Sequence, residues 1–160
     1  MAPIHDFYER YAADVYRFAL HLSGKPAEAE DITADTFVRL WTTPGEIRTA
    51  TVKAYLFTIA RHLYLDRLRA QARFTGLDDA MPASTPSAED RASARSEVAQ
   101  VLLAIARLPE ADRAALLMRA NGLSYEEIAE AIGASVGAVK VRVHRARKRL
   151  SGAPRRGEQT

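Results

Sequence analysis

Residues 122–150, GLSYEEIAEAIGASVGAVKVRVHRARKRL, predict two helices joined by a tight turn. Ser124 followed by Glu127 is a capping box, which marks the start of a short helix over residues 125–132. Gly133 supplies the left-handed residue that ends this helix, because glycine adopts a positive φ without steric cost. A short helix, a turn containing glycine and a longer second helix are typical of a helix-turn-helix.

The second helix follows the N-cap Ser135 and has one apolar and one cationic face. Its apolar residues recur at intervals of three and four: Val136, Val139, Val143, Ala146 and Leu150. The opposite side presents Gly137, Ala138, Val141, His144, Arg145 and Lys148, flanked by Lys140, Arg142, Arg147 and Arg149. Small residues let a helix enter the major groove, where longer cations reach base edges and phosphates. This pattern favours DNA binding over a solvated basic face or a membrane-surface helix, which prefers large apolar residues to valines.

The distribution of charge also indicates a polyanionic partner. The 160-residue chain has a formal net charge of +3, but residues 133–160 carry eight Lys or Arg and one acid. The chain is 48% hydrophobic and contains no cysteine, which predicts a globular protein without disulfides or thiolate metal sites. Because it has no long apolar run and no secretory signal, we expect it to remain in the cytoplasm.

Helical periodicity extends through the rest of the chain, and nothing in it predicts a strand. The first helix carries Phe7, Tyr11, Val15, Phe18 and Leu22 at helical spacing and ends at Ser23 to Pro26. A second, over about 27–42, has Phe37, Leu40 and Trp41 on one side. A third, over about 52–73, has a predicted core face of Val52, Leu56, Ile59 and Leu63. Further helices are predicted at about 88–107 and 110–120.

A segment rich in acids and small polar residues, with Pro82 and Pro86, separates the third helix from the later ones. Such a composition is typical of a flexible linker. The fold class is therefore all-α, with two small helical domains joined by this linker. The predicted divisions are residues 1–75, a linker over 76–94, a helix-turn-helix domain over 95–152 and a basic tail over 153–160.

Two faces of the N-terminal domain are candidate binding surfaces. On the third helix, basic and aromatic residues are interleaved, which suits unstacked nucleic acid, although a packing face is the alternative. They are Thr58, His62, Leu65, Arg69 and Arg73, flanked by Arg61 and Arg67, with Tyr55 and Tyr64 as aromatic surface. On the second helix, Asp31, Ala34 and Asp35 project away from the apolar side. The helix dipole accounts for acids of the first turn but not for Asp35, so a protein partner is the alternative.

Three ordered segments resemble bacterial RNA polymerase sigma factors. They are residues 27–41 (AEAEDITADTFVRLW), 55–73 (YLFTIARHLYLDRLRAQAR) and 108–150 (from LPEADR to VHRARKRL). The chain is most similar to the small extracytoplasmic-function (ECF) type, group 4 of the sigma-70 family, which keeps only regions 2 and 4. The resemblance covers about residues 5–74 and 97–150 and implies that the two domains are region 2 and region 4.

The resemblance implies a chain that binds core RNA polymerase and directs it to promoters, with no enzymatic activity, cofactor, metal or small-molecule substrate of its own. The implied partners are core polymerase, promoter DNA (duplex at −35, partly single-stranded at −10) and an anti-sigma factor. Asp31, Ala34 and Asp35 are implied to contact the polymerase clamp helices. The implied −10 contacts are Arg61, His62, Arg69 and Arg73. The implied −35 contacts are Ala138, Lys140, Val141, Arg142, Arg145 and Lys148.

Four positions depart from the usual residues of the family. His62 stands where Asn is usual, and Tyr55 where Trp is usual. Ala138 and Val141 stand where Thr and Ser are usual, so two hydroxyls are absent from the groove-facing side of the recognition helix. We therefore expect an unusual −35 preference.

A stand-alone helix-turn-helix regulator is the alternative function. Such a protein usually dimerises to bind paired half-sites, and no heptad seam outside the recognition helix offers a dimer interface. An enzyme is poorly supported, because the four histidines show no metal-ligand spacing and the chain has neither a phosphate-binding glycine loop nor a nucleophile motif.

Overall fold

The computed structural model describes residues 4–42, 51–75 and 96–152, which form seven helices and no strand. The helices are α1 (Ile4–Ser23), α2 (Pro26–Thr42), α3 (Val52–Thr75), α4 (Glu97–Ala106), α5 (Glu110–Ala120), α6 (Tyr125–Ile132) and α7 (Val136–Ser151). The all-α fold and the helix-turn-helix are confirmed. The predicted linker over 76–94, the tail over 153–160 and the start of the helix predicted at 88–107 lie outside the described residues.

Helices α1, α2 and α3 pack against one another around an aromatic centre. One face of α1 is fully buried, including Val15, Phe18 and Leu22, because its apolar residues recur at helical spacing. The ring of Phe18 stacks on the ring of Phe57 of α3, with centroids 4.5 Å apart and planes 5° from parallel. Gly24, with a φ of 74°, lets the chain turn sharply between α1 and α2.

The expected grouping of Trp41 with the core residues of α2 is wrong. Phe37 and Leu40 are buried, but the Trp41 side chain is 73% exposed. The 100° step between successive helical residues carries Trp41 past the edge of the buried face, close to the end of α2 at Thr42.

The buried face of α3 also differs from the expected one. Leu56 and Ile59 are buried as predicted, but Val52 and Leu63 are only half-buried. Tyr64, expected on the surface, is 3% exposed. The reason is that α3 packs against α1 and α2 on one side and against α5 and α6 on another, so more of its circumference is covered.

Helices α4 to α7 form the second unit, in which α7 packs against α4, α5 and α6. Ala146 of α7 packs with Leu108 and Leu116, while Val139 and Val143 lie in the larger core. That larger core is continuous between the two units and contains buried residues of both, such as Phe57 and Met118. The two units therefore pack face to face, with α1 against α4 and α5 and with α3 against α5 and α6.

Candidate nucleic-acid interface

Local capping marks the start and end of α6 and the start of α7, as the sequence predicts. The Ser124 side chain accepts a hydrogen bond from the Glu127 amide at 3.1 Å, and the Glu127 carboxylate accepts one from the Ser124 amide at 2.9 Å. Gly133 ends α6 with a φ of 71°. The Ser135 side chain then accepts a hydrogen bond from the Ala138 amide at 3.1 Å, which caps α7. These bonds satisfy amides that a helix start leaves open.

The predicted apolar face of α7 is confirmed as the face that packs on the core. Val139, Val143 and Ala146 are buried, and Val136 and Leu150 are half-buried. The predicted −35 contacts all lie outside the buried face: Lys140, Val141, Arg145 and Lys148 are exposed, and Ala138 and Arg142 are half-buried. The structure thus brings these six residues together on the accessible side of one helix.

Two of these cations are tied to a buried carboxylate of α5. Asp112 is fully buried, and Arg145 of α7 donates to it from Nε and Nη2, each at 2.9 Å. Arg142 donates to Oδ1 of the same carboxylate from Nη1 at 3.0 Å. Burial alone would raise the pKa of Asp112, but the hydrogen bonds and charges of Arg145 and Arg142 outweigh it, so the pKa lies below its usual value. Asp112 is therefore ionised at neutral pH.

A second contact at the start of α7 involves an aromatic ring. Lys140 Nζ lies 5.6 Å from the centroid of the Tyr125 ring, and the guanidinium carbon of Arg119 lies 4.4 Å from it. Both distances are within the range of cation–π attraction. Tyr125 thus links the start of α6 to α5 through Arg119 and to α7 through Lys140.

Three of the four predicted −10 residues are exposed on α3: His62, Arg69 and Arg73. Arg69 donates to Asp66 one turn earlier, at 3.1 Å. Partial desolvation, and then the charge of Arg61, lower the pKa of His62 below its usual value, so the imidazole is neutral at pH 7. A neutral imidazole offers one donor and one acceptor rather than a fixed positive charge.

Arg61, the fourth predicted −10 residue, is buried between the two units. Its Nε and Nη2 donate to the two carboxylate oxygens of Glu110 on α5, each at 2.8 Å. The two side chains are only 10% and 15% exposed. Such a bidentate pair is geometrically specific. In this arrangement Arg61 contacts the second unit and is not exposed on the surface of α3.

Other polar contacts cross the same boundary. Arg113 of α5 donates a hydrogen bond to the carbonyl of Leu22 in α1. At the other end, Thr51 donates to Glu127 at 2.8 Å. Burial would raise the pKa of Glu127, but hydrogen bonds from the Ser124 amide and from Thr51 lower it below its usual value. The capping carboxylate of α6 therefore also joins the two units.

The acidic face predicted for protein contact is exposed on α2. Asp31 and Asp35 pair with Arg67 of α3 at 3.9 and 3.3 Å, and Ala34 lies between them on the surface. Ala34 also borders an apolar groove between α1 and α2. The groove is lined by Tyr8, Ala12, Tyr16, Thr33, Phe37, Val38 and Trp41, together with His5, Ala13 and Glu30 at its edges.

Sequence reasoning missed Asp112 and Glu110 as partners of predicted DNA-binding residues, and it missed the contact of Glu127 with Thr51. Each acid lies in the first turn of a helix, where the dipole already accounts for it. The partners of Asp112 lie 30 and 33 residues further along, and that of Glu110 lies 49 residues earlier. Neither pattern nor spacing signals such contacts.

In the described segments 4–42, 51–75 and 96–152, no three His, Asp or Glu side chains are grouped so that they could hold a metal ion. Within the same segments, no helix combines the length and apolar character needed to cross a bilayer.

Comparison with known families matches both units separately. Residues 7–74 match the family model of Sigma-70 region 2, and residues 99–150 match that of Sigma-70, region 4. The two matched regions follow each other in one chain and coincide with the α1–α3 unit and the α4–α7 unit. The fold and these matches thus define the class: a sigma-70-type transcription factor that contains regions 2 and 4.

Proteins that are similar over most of the chain show which group of sigma factors it resembles. The chain is 34% identical over 150 residues to the ECF RNA polymerase sigma factor SigL of Mycobacterium tuberculosis, covering 89% of this chain and 84% of SigL. It is 35% identical over 147 residues to SigE of Mycolicibacterium smegmatis, covering 88% of this chain but 57% of SigE. Among solved structures, the sigma factor RpoE of Bartonella quintana, in complex with the anti-sigma factor NepR, matches with a TM-score of 0.75 at 29% identity, covering 91% of this chain and 94% of RpoE.

The chain belongs to the ECF family of RNA polymerase sigma factors. Its function is that of a promoter-directing sigma factor, and these matches do not favour the alternative of a stand-alone regulator.

Proposed function

We propose that the two units divide promoter recognition between them while both are bound to core RNA polymerase. In this proposal the α4–α7 unit reads the −35 element through Ala138, Lys140, Val141, Arg142, Arg145 and Lys148. The α1–α3 unit engages the −10 element through Arg61, His62, Arg69 and Arg73. The observation that carries the proposal is the order of the two sigma-70 regions in one chain, each with its predicted DNA-binding side chains on a helix anchored in the core.

The α2 surface is the proposed contact with core polymerase. Asp31, Ala34 and Asp35 are exposed on α2, and Ala34 borders the groove that also contains the exposed ring of Trp41. A surface that combines acids with an apolar groove suits a helical partner carrying both cations and apolar side chains. The clamp helices of the polymerase are the partner that the family resemblance implies.

The Arg61–Glu110 contact makes separation of the units part of the proposal. Arg61 cannot contact −10 DNA while its Nε and Nη2 bind the Glu110 carboxylate and the second unit leaves its side chain only 10% exposed. We therefore place the described arrangement before promoter engagement. Binding to polymerase supplies the free energy that separates the units.

An anti-sigma factor is the proposed regulator of this step. The similarity to RpoE extends over both units of that protein, which was solved with the anti-sigma factor NepR. A partner that binds both units together would favour the packed arrangement, because a ligand shifts an equilibrium toward the state it binds better. We place the chain in the cytoplasm with the polymerase, as a binding protein that leaves the chemistry of RNA synthesis to the enzyme.

Run-off transcription tests the proposed function directly. Purified core enzyme is combined with the chain on a library of genomic fragments, and start sites are mapped. We expect a set of start sites that appears only when the chain is added. Identical start sites with and without the chain would contradict the proposal.

Charge reversal on α2 tests the polymerase contact. We expect the variant Asp31→Lys/Asp35→Lys to bind core polymerase more weakly, because two exposed acids become repulsive toward a cationic partner surface. The measurement is the dissociation constant from titration of labelled chain with core. Glu126→Lys/Glu130→Lys, which reverses two exposed acids on α6, controls for the change in net charge and should bind with nearly unchanged affinity; equal thermal unfolding of both variants checks that loss of the Arg67 pairs has not unfolded the α1–α3 unit. Equal effects of both variants would argue against the α2 assignment.

A further inference from the structure

Asp112 touches two residues that are proposed to read the −35 element, although it belongs to another helix. Its carboxylate is fully buried in the first turn of α5, and Arg142 and Arg145 donate three hydrogen bonds to it at 2.9 to 3.0 Å. An acid in a first turn complements the helix dipole. The helix dipole, however, does not explain why this carboxylate is buried and binds two guanidinium groups of another helix.

The geometry of the ion pair decides which part of Arg145 stays available. A guanidinium carries five N–H donors in a planar, rigid fork. Nε and one N–H of Nη2 of Arg145 bind Asp112, so the Nη1 group and the second N–H of Nη2, which form the Nη1–Nη2 edge, are not used by the carboxylate. The Arg145 side chain is 48% exposed. The same edge is the one that binds O6 and N7 of guanine bidentately.

Arg142 adds a second effect. It donates to the same Oδ1 atom and is 35% exposed, so two cations share one anion. The cluster of Asp112, Arg142 and Arg145 therefore keeps one net positive charge, directed toward the accessible side of α7. This net positive charge attracts the phosphate backbone, while the Nη1–Nη2 edge of Arg145 can still donate hydrogen bonds to a base.

We infer that Asp112 is a positioning residue, which holds the Nη1–Nη2 edge of Arg145 toward the major groove and thereby sharpens recognition of a guanine in the −35 element. This inference rests on the proposed function. A side chain that is fixed before binding loses less conformational entropy when it binds. A freely rotating Arg145 would contact phosphates and several base edges with similar ease, so its selectivity for one base would be lower.

A scan of the −35 element tests the inference. Every base pair of the −35 element is varied in one promoter found by run-off transcription, and initiation is measured with core plus each variant of the chain. We expect Arg145→Ala to lower the preference for guanine at one position by roughly 5- to 150-fold. We expect Asp112→Asn, which is isosteric, to lower it at the same position by about 2- to 10-fold. The double variant should be no worse than Arg145→Ala, because Asp112 acts through Arg145.

Two further variants separate positioning from charge and from general damage. Arg145→Lys keeps the charge but not the fork, so it should lose the guanine preference while retaining the salt dependence of binding. Glu130→Gln, which removes an exposed carboxylate of the helix-turn-helix, should leave the −35 profile unchanged.

Nitrogen-15 NMR of the free chain reports the position of Arg145 without any DNA. We expect the Nε–H resonance of Arg145 to exchange slowly with water, since it is held by a buried carboxylate, and that of the exposed Arg147 to exchange fast. In Asp112→Asn the Arg145 resonance should become as fast as that of Arg147. Fast exchange of Arg145 in the unaltered chain would overturn the inference.

The scan also separates the possible failures. An Asp112→Asn profile identical to that of the unaltered chain overturns the inference and leaves the proposed function intact. If Asp112→Asn instead lowers initiation equally at every −35 sequence, and this loss adds to that of Arg145→Ala, Asp112 only stabilises the packing of α5 against α7. That result overturns the inference as well. If the unaltered chain starts no transcription with core, the proposed function fails, and the NMR measurement still decides whether Asp112 holds Arg145.

Discussion

Asp112 is the residue at which the stability of the second unit depends most directly on a protonation state. Its carboxylate is buried, so the ionised form persists only because Arg142 and Arg145 donate to it. The pKa of Asp112 lies below its usual value in the folded chain, since these bonds outweigh burial. A lowered pKa stabilises the fold at pH values above the unfolded pKa, and this contribution is lost as the pH falls through the folded pKa.

We therefore predict a pH-dependent cost for Asp112→Asn. At pH 7 the free energy of unfolding should fall by about 1–3 kcal/mol, because a charged hydrogen-bond acceptor is lost. The difference from the unaltered chain should shrink as the pH is lowered below about 4, where the unfolded aspartate is protonated. Urea unfolding at a series of pH values measures the free energy of unfolding of both chains. Asp66→Asn, at an exposed acid, is the control, and a difference that stays constant with pH would contradict the prediction.

At the residue scale, the sequence predicts candidate binding side chains but not the residues that hold them. The exposure of Arg145 is predictable, because its neighbours on α7 fix the face on which it lies. Asp112 is not predictable as its partner, because the contact depends on how α5 and α7 cross. Arg61 fails in the same way: its position on α3 is predictable, but its burial against Glu110 is set by packing between the units.

At the scale of elements, the helix-turn-helix depends on the backbone of Gly133. Its φ of 71° lies in the left-handed region, and a Cβ placed there would meet no atom within 4 Å. The cost of Gly133→Ala is therefore conformational, about 1–2 kcal/mol. Thermal unfolding of the full chain measures the cost.

Gly137→Ala is the matched control for that substitution. Gly137 lies in the first turn of α7 without a positive φ, and a Cβ there would also meet no atom within 4 Å. Because alanine needs no strained backbone at this position and favours a helix more than glycine does, this variant should lose no stability and gain at most about 1 kcal/mol. Loss of stability in Gly137→Ala equal to that in Gly133→Ala would contradict the assignment of the turn.

The elements themselves are the best-predicted part of this chain. Capping by Ser124 and Ser135 and the apolar repeat of α7 are local signals, and all of them are confirmed in the structure. The buried face of α3 is less predictable. Local periodicity reports one face, whereas α3 packs on two sides, so Tyr64 and Arg61 are buried outside the expected stripe.

At the scale of the whole molecule, the Arg61–Glu110 pair should control how often the units separate. We predict that Glu110→Lys raises the ratio of separated to packed chains by roughly tenfold or more, because it places two cations in a shielded contact. The chain contains no cysteine, so dyes on cysteines introduced at Lys25 and Glu130 report the distance between the units by energy transfer.

Charge exchange provides the control for this prediction. Glu110→Lys combined with Arg61→Glu restores opposite charges at the contact and should return the transfer efficiency toward that of the unaltered chain. An efficiency that is the same in Glu110→Lys and the unaltered chain would show that this pair does not hold the units together.

The packing of the units could not be predicted from sequence, because each unit carries complete local signals of its own and the contacts join residues far apart in the chain.

Footprinting of a promoter complex tests the central claim, that one chain directs core polymerase through two separate DNA contacts. On a promoter identified by run-off, core with the chain should protect the −35 and −10 elements together, with unpaired, permanganate-reactive thymines at −10. The chain without core should give neither signal. Full protection of both elements by the chain alone, or protection by core that is unchanged when the chain is omitted, would show that the chain does not direct core polymerase to the promoter.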